Sequence, residues 1–294
     1  MNYIYKLLLS SAVLPICAST AIAADYSDGL HKNDYKWMQF NIMYSVGEKP
    51  SIDDNLAHDY LELEFGGRSG IVDLYGYVDV FNLTNTDSSN SDKTDGASKI
   101  FMKLAPRFSL DAMTGKDLSF GPVQEMYIAT LYNWGGGGIT GSRPNDEKGQ
   151  PSVAIDGDVN NSFWGLGTDM IVPWFDKIGV NLYVLYDLNT KSWNGYQFSM
   201  NWFKPFVTFD NDSFIAYQGY IDYQFGADAS DTNFVPTTTH GGVMFNGVYW
   251  HSDRYSLGYG IKAYNDVYTV KDGAGTLGLD STGFAHYFAA IYKF

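Results

Sequence analysis

The chain ends in a segment that alternates with a period of two and stops on an aromatic ring. Phe284, His286, Phe288, Ala290, Tyr292 and Phe294 fall on one side of an extended backbone, and Ala285, Tyr287, Ala289, Ile291 and Lys293 on the other. Successive side chains of a strand point to opposite faces, so one face carries a nearly unbroken apolar stripe as far as the last residue. In water such a stripe is left exposed. In a membrane β-barrel it faces lipid, and the last strand closes against the first.

The same alternation recurs along the chain and predicts twelve strands. The first sets Met38, Phe40, Ile42, Tyr44 and Val46 against Gln39, Asn41, Met43 and Ser45, and the second sets Leu61, Leu63 and Phe65 against Tyr60, Glu62 and Glu64. The third opposes Val72, Leu74, Val78 and Val80 to Asp73, Tyr75, Tyr77 and Asp79, and the fourth opposes Ile100, Met102, Leu104 and Phe108 to Lys99, Lys103 and Arg107. Later strands are expected to begin near Val123, Phe163, Gly179, Tyr196, Phe214, Gly242, Tyr255 and Gly283, with weaker alternation in the sixth and tenth. Charges keep to one face of each early strand. That pattern fits a polar interior and an apolar, lipid-facing exterior.

Loop lengths supply an independent sign. Long connections, roughly 47–57, 82–98, 134–161, 226–239 and 265–281, alternate with mostly short ones at 66–70, 173–178, 208–212 and 251–254. Two connections break the rule: 110–122 is long for a turn and 188–192 is short for a loop. Bacterial barrels pair short periplasmic turns with long extracellular loops, and an even strand number puts both termini in the periplasm. A soluble β-sandwich has no reason to segregate its loops in this way.

Composition bears out the class. Residues 1–23 carry Lys6, an apolar stretch from Leu7 to Cys17 and Ala21-Ile22-Ala23, the marks of a signal peptide cleaved before Ala24, leaving residues 24–294 as the barrel. Ile16 is too large to precede a lipidated Cys17. Cleavage removes the only cysteine, so no disulfide framework exists. A net charge of −14 argues against binding nucleic-acid polymers, which needs clustered Lys and Arg. Aromatic residues make up 17% of the chain, with 23 Tyr, and there are 31 Gly, which suits interfacial girdles and tight turns.

Catalytic and metal motifs do not assemble. Gly136 to Gly141 fits G-x-G-x-x-G with no helix after it, and no H-E-x-x-H or G-x-S-x-G elbow is present. His58 beside Asp59 and His251 near Asp253 read as strand-end residues. Asp87, Asp92 and Asp95, or Asp156 and Asp158 before Asn160, lack the terminal Glu of a calcium loop. The sequence implies no enzyme, no cofactor and no resident metal.

Several runs are specific enough to mark a family. His31-Lys32-Asn33-Asp34-Tyr35-Lys36-Trp37-Met38-Gln39-Phe40-Asn41, Asp59 to Arg68, and Asp73-Leu74-Tyr75-Gly76-Tyr77-Val78-Asp79 closely resemble the OmpK outer-membrane proteins of vibrios and their relatives. Ala105-Pro106-Arg107-Phe108-Ser109 and Asp117-Leu118-Ser119-Phe120-Gly121-Pro122 do so too, and with Tyr75-Gly76-Tyr77 also resemble the nucleoside-specific Tsx channels. The resemblance implies a twelve-stranded monomeric barrel, passage of nucleosides and use of the outer loops as a bacteriophage receptor. It also implies that Phe288, Ala290, Tyr292 and Phe294 form the signal read by the barrel-assembly machinery, with lipid and lipopolysaccharide around the finished barrel.

The inward faces hold the residues expected to meet a small solute: Glu62, Glu64, Asp73, Tyr75, Tyr77, Asp79, Lys99, Lys103, Arg107, Glu125 and Tyr127. Aromatic faces stack on nucleobases, and carboxylates accept hydrogen bonds from ribose hydroxyls. The alternative is a closed lumen in which the same acids and bases pair with one another, giving a structural or adhesion barrel that acts chiefly as a surface receptor.

Overall fold

A computed structural model describes residues 24–51, 57–81, 83, 99–136, 158–231 and 234–294. The expected signal peptide, most of the glycine motif and the loop acids Asp87, Asp92, Asp95 and Asp156 lie outside the described residues.

Twelve strands form one closed antiparallel barrel: β1 (Tyr35–Val46), β2 (Ala57–Ser69), β3 (Val72–Phe81), β4 (Ile100–Ser109), β5 (Val123–Gly135), β6 (Asn161–Val172), β7 (Asp176–Asp187), β8 (Ser192–Thr208), β9 (Phe214–Phe225), β10 (His240–His251), β11 (Tyr255–Asn265) and β12 (Gly283–Lys293). Each strand pairs with its sequence neighbours, and β1 pairs with β12. Closure satisfies the backbone of every strand internally, which a hydrocarbon environment demands.

The seam explains the terminal stripe. Phe40 faces Tyr292, Ile42 faces Ala290 and Tyr44 faces Phe288. The Phe294 N–H donates to the Met38 carbonyl at 3.1 Å, and its ring meets Phe40 edge-on at 5.2 Å. Outward residues stay exposed, Ile42 at 65%, while Asn41 and Met43 on either side of it are buried in the interior. The expected faces of β1 to β4 hold throughout. Lys99 differs in one respect: it lies just before β4, where its carbonyl accepts the Phe81 N–H.

Alternation is hard to see in β10 because large rings do the work of several residues. Phe245 and Tyr249 lie flat over the glycines of β11, so a Cβ on Gly260 or Gly258 falls 2.3 or 2.1 Å from those rings. The space that two side chains would fill is occupied by one.

The long 110–122 connection has a local cause. It contains α1 (Leu110–Thr114), whose first turn is capped by the Ser109 hydroxyl, accepting from Ala112 N at 3.0 Å, and which ends at Gly115 with φ 62°. Asp111 is fully buried and accepts backbone N–H groups from Leu118 and Met126. This connection shares an end of the barrel with both chain termini. The Lys293 backbone meets Arg254 there, and Asp34 accepts the Gly70 N–H at 2.7 Å, which holds its carboxyl below the usual carboxylate range.

The opposite end carries the long connections, and two of them interlock. The 226–239 segment pairs with 266–282 through Thr237 and Val270, and Leu279 is buried among Val235, Val270 and Leu277. Ser51 of the β1–β2 connection bridges to Asp280.

Candidate solute-binding site in the lumen

The inward residues separate into two groups. Near the end that holds the termini, Arg107 donates to Asp169 at 2.9 Å and through Nε to Asp73 at 3.0 Å, with a second short contact from Nη2 to Asp73. Lys177 meets the other oxygen of Asp169 at 2.6 Å. Arg68 forks onto Glu125, with Nη1 at 2.8 Å from Oε2 and Nη2 on Oε1. Tyr127, only 1% exposed, donates to Glu125 at 2.7 Å, lies 3.1 Å from Asp169, and turns its ring 4.1 Å from the Arg107 guanidinium.

This network closes on itself. Three cations, Arg68, Arg107 and Lys177, meet three acids, Asp73, Glu125 and Asp169. Tyr35 adds a hydroxyl to Asp73 at 3.0 Å, Ser109 one to Glu125 at 2.5 Å, and Tyr26, from before β1, another at 2.7 Å. Buried charges are tolerable only when paired and hydrogen-bonded in this way.

The second group lies further along the lumen. Glu64 accepts from Gln39 at 2.6 Å, Asn41 at 2.9 Å and Tyr75 at 2.9 Å, and Asn41 also donates to Glu62. Asp79 faces Glu62 across the β2–β3 pair. Asp222 accepts from Ser199 at 2.6 Å and meets Lys103 at 3.3 Å. Acids outnumber bases among these residues.

Aromatic rings surround this second group on two walls. On one, Tyr75, Tyr77 and Phe101 form a chain with centroid spacings of 6.1 and 5.9 Å. On the other, Tyr220, Phe245 and Tyr287 follow at 5.9 and 6.2 Å, and Lys262 lies 4.2 Å from the Tyr287 ring centroid. The rings are not all sealed: Tyr75 is 39% exposed although it points inward, and Glu62, Glu64, Tyr77, Lys103, Tyr220 and Asp222 are each partly accessible. Such a surface can offer a flat solute π-faces and hydrogen-bond acceptors together.

The sequence-predicted residues therefore do not form one site. Asp73, Arg107, Glu125 and Tyr127 belong to the ion network. Glu62, Glu64, Tyr75, Tyr77, Asp79 and Lys103 line the aromatic zone. Lys99 stands at the strand's edge, near the long-loop end. Reading the early strands alone missed Arg68, Asp169 and Lys177 in the network and Tyr220, Asp222 and Lys262 in the aromatic zone. An inward position on β2, β6, β7, β9 and β11 was the signal available for them.

His58 and His251 sit at strand ends as expected, but both are buried in the interior. His58 pairs with Glu48, and His251 accepts or donates at 2.8 Å with Ser256 while stacking 4.9 Å from Phe214. Among the described residues no group of three His, Cys, Asp or Glu is placed to hold a metal ion.

Residues 32–294, covering the whole barrel, match the family model described as nucleoside-specific channel-forming protein, Tsx. The chain belongs to the Tsx channel family. It is 55% identical over 290 residues to an outer membrane protein OmpK of Vibrio parahaemolyticus, covering 98% of this chain and 99% of the relative. It is 29% identical over 311 residues to a nucleoside-specific channel-forming protein Tsx of Klebsiella aerogenes, with the same coverage of each chain. A Tsx of Salmonella typhimurium is similar at 28% over 309 residues, again with 98% and 99% covered. Membership of the Tsx family makes this twelve-stranded chain a channel-forming outer-membrane barrel, and the family is not one of enzymes.

Proposed function

We propose that the barrel conducts nucleosides and related small solutes passively across the outer membrane, binding them briefly at the aromatic zone. The observation that carries this reading is the accessible inward face of Tyr75 beside Glu64 and Tyr77, in the acid-rich part of the lumen. Base–aromatic stacking is worth about 1–3 kcal/mol per base, enough to select a solute yet weak enough to release it. The Tsx relatives, whose names describe nucleoside-specific channels, support the same solute class. Excess acid in the lumen disfavours phosphorylated solutes. Liposomes containing the protein are expected to swell faster in adenosine than in its monophosphate; equal rates remove charge selectivity from the reading.

In this reading residues 1–23 are removed during export, both termini lie in the periplasm, and the long connections face outward as attachment points for bacteriophage. Phe288, Ala290, Tyr292 and Phe294 present the assembly signal, and the mature barrel is a monomer among lipid and lipopolysaccharide. Deleting Phe294 is expected to impair assembly and leave secretion intact, since the residue also bonds the seam at Met38. The paired ion network favours a second reading, a closed lumen with a surface role. Folded protein that carries no current in planar bilayers selects that one.

A further inference from the structure

Lys103 on β4 and Asp222 on β9 stand on nearly opposite walls, with β5 to β8 between them on one side and the other six strands between them on the other. Their charged groups nevertheless meet at 3.3 Å. The ion pairs near the termini join strands only one to three places apart, as in Arg68 with Glu125 or Lys177 with Asp169. Lys103 Nζ is 5.8 Å from the Tyr77 ring centroid on its own side and 5.8 Å from that of Tyr220 on the far side. Ser199 steadies Asp222 at 2.6 Å.

The pair does not hold strands together. β4 is hydrogen-bonded to β3 and β5, and β9 to β8 and β10, along their lengths. Its side chains are 17% and 20% exposed, so water reaches both partners. Lys103 meets Asp222 by one contact at 3.3 Å, where Arg68 and Arg107 each place two nitrogens on one acid, so a solute has a single contact to displace.

Building on the channel reading, we infer that Lys103 and Asp222 form a displaceable bar across the lumen, which limits conductance, balances charge selectivity and yields the faces of Tyr77 and Tyr220 to a flat solute. The ammonium occupies the ring faces by cation–π attraction, and a stacking ring competes with it for them. While the bar is closed, its two charges cancel where they meet across the lumen. Opening exposes one of each sign on opposite walls.

Single-channel recording in planar bilayers tests this with the full chain. Lys103→Met is expected to raise conductance and shift the reversal potential towards cation selectivity, because Asp222 is left unpaired. Asp222→Asn is expected to raise conductance and shift it towards anion selectivity. The exchange Lys103→Asp with Asp222→Lys is expected to restore wild-type conductance. Lys103→Cys supplies a version independent of folding, since the only native cysteine, Cys17, lies in the leader. Labelling the refolded variant with an ethylammonium methanethiosulfonate puts back a cation and is expected to lower conductance. Wild-type conductance and reversal potential in both single variants, or no response to labelling, overturn the bar and leave the channel standing. A folded wild-type barrel without current overturns the channel reading and the bar with it.

Discussion

The two ends of the inward face use the same residue types in opposite ways. Near the termini, Arg68, Arg107 and Lys177 are matched one for one with Glu125, Asp73 and Asp169, and every acid takes further donors from Tyr or Ser hydroxyls or from a second cation. Further along, Glu62, Glu64, Asp79 and Asp222 exceed the nearby bases, and Tyr75 keeps 39% of its surface accessible. Matched charge in a tight space makes a wall; unmatched charge beside open rings makes a surface with capacity to bind. Polar side chains in a lumen are therefore not evidence of transport by themselves. What distinguishes them is whether each charge already has a partner of the opposite sign.

The largest effect should come from breaking the matched network. Arg107→Ala leaves Asp73 with no cation and Asp169 with Lys177 alone, and is expected to cost about 3–5 kcal/mol of barrel stability. Urea unfolding in detergent micelles measures this. Replacing Arg107, Asp73 and Asp169 together with Leu is expected to recover most of the loss, because the two acids leave with their shared cation and Lys177, its side chain 35% exposed, keeps access to water. A triple variant as unstable as the single one contradicts a purely structural network.

A smaller effect is expected in the open zone, and on a different readout. Tyr77→Ala removes a ring that touches Tyr75, Phe101 and Lys103. It is expected to weaken nucleoside block of the channel current by about 1–3 kcal/mol, roughly 5- to 150-fold in affinity, with the urea midpoint little changed. Titration of the block with adenosine checks the first part. An unfolded Tyr77→Ala barrel would place this ring with the structural group.

The smallest effect belongs to the segment before β1. Tyr26→Phe keeps the ring 5.3 Å from Arg68 but removes its donor to Glu125. Arg68, Ser109 and Tyr127 still serve that carboxylate, so the expected cost is about 0.5–1.5 kcal/mol. Urea unfolding reads the cost, and nucleoside block is expected to stay at the wild-type value.

The wall was more legible in the sequence than its contents. Period-two alternation locates each strand and assigns the faces of β1 to β4 because lipid on one side and a polar interior on the other impose it residue by residue. It fades in β10, where Phe245 and Tyr249 cover glycines of β11. The division of the inward residues was not legible. Arg107 and Lys103 are four positions apart on one strand, yet one is locked between Asp73 and Asp169 and the other reaches Asp222, 119 residues away. Partners across a lumen depend on barrel closure and side-chain reach, and no local pattern encodes them. The 110–122 connection looked too long for a turn because a capped helix was hidden inside it.

A crystal structure with adenosine bound tests the central claim most directly. The account predicts density for the base against the accessible rings of Tyr75, Tyr77 or Tyr220, the ribose within hydrogen-bond reach of the lumen acids, and the Arg68–Glu125 and Arg107–Asp169 pairs unmoved. Adenosine lodged among those pairs with the aromatic zone empty, or absent from the lumen at saturating concentration, contradicts it.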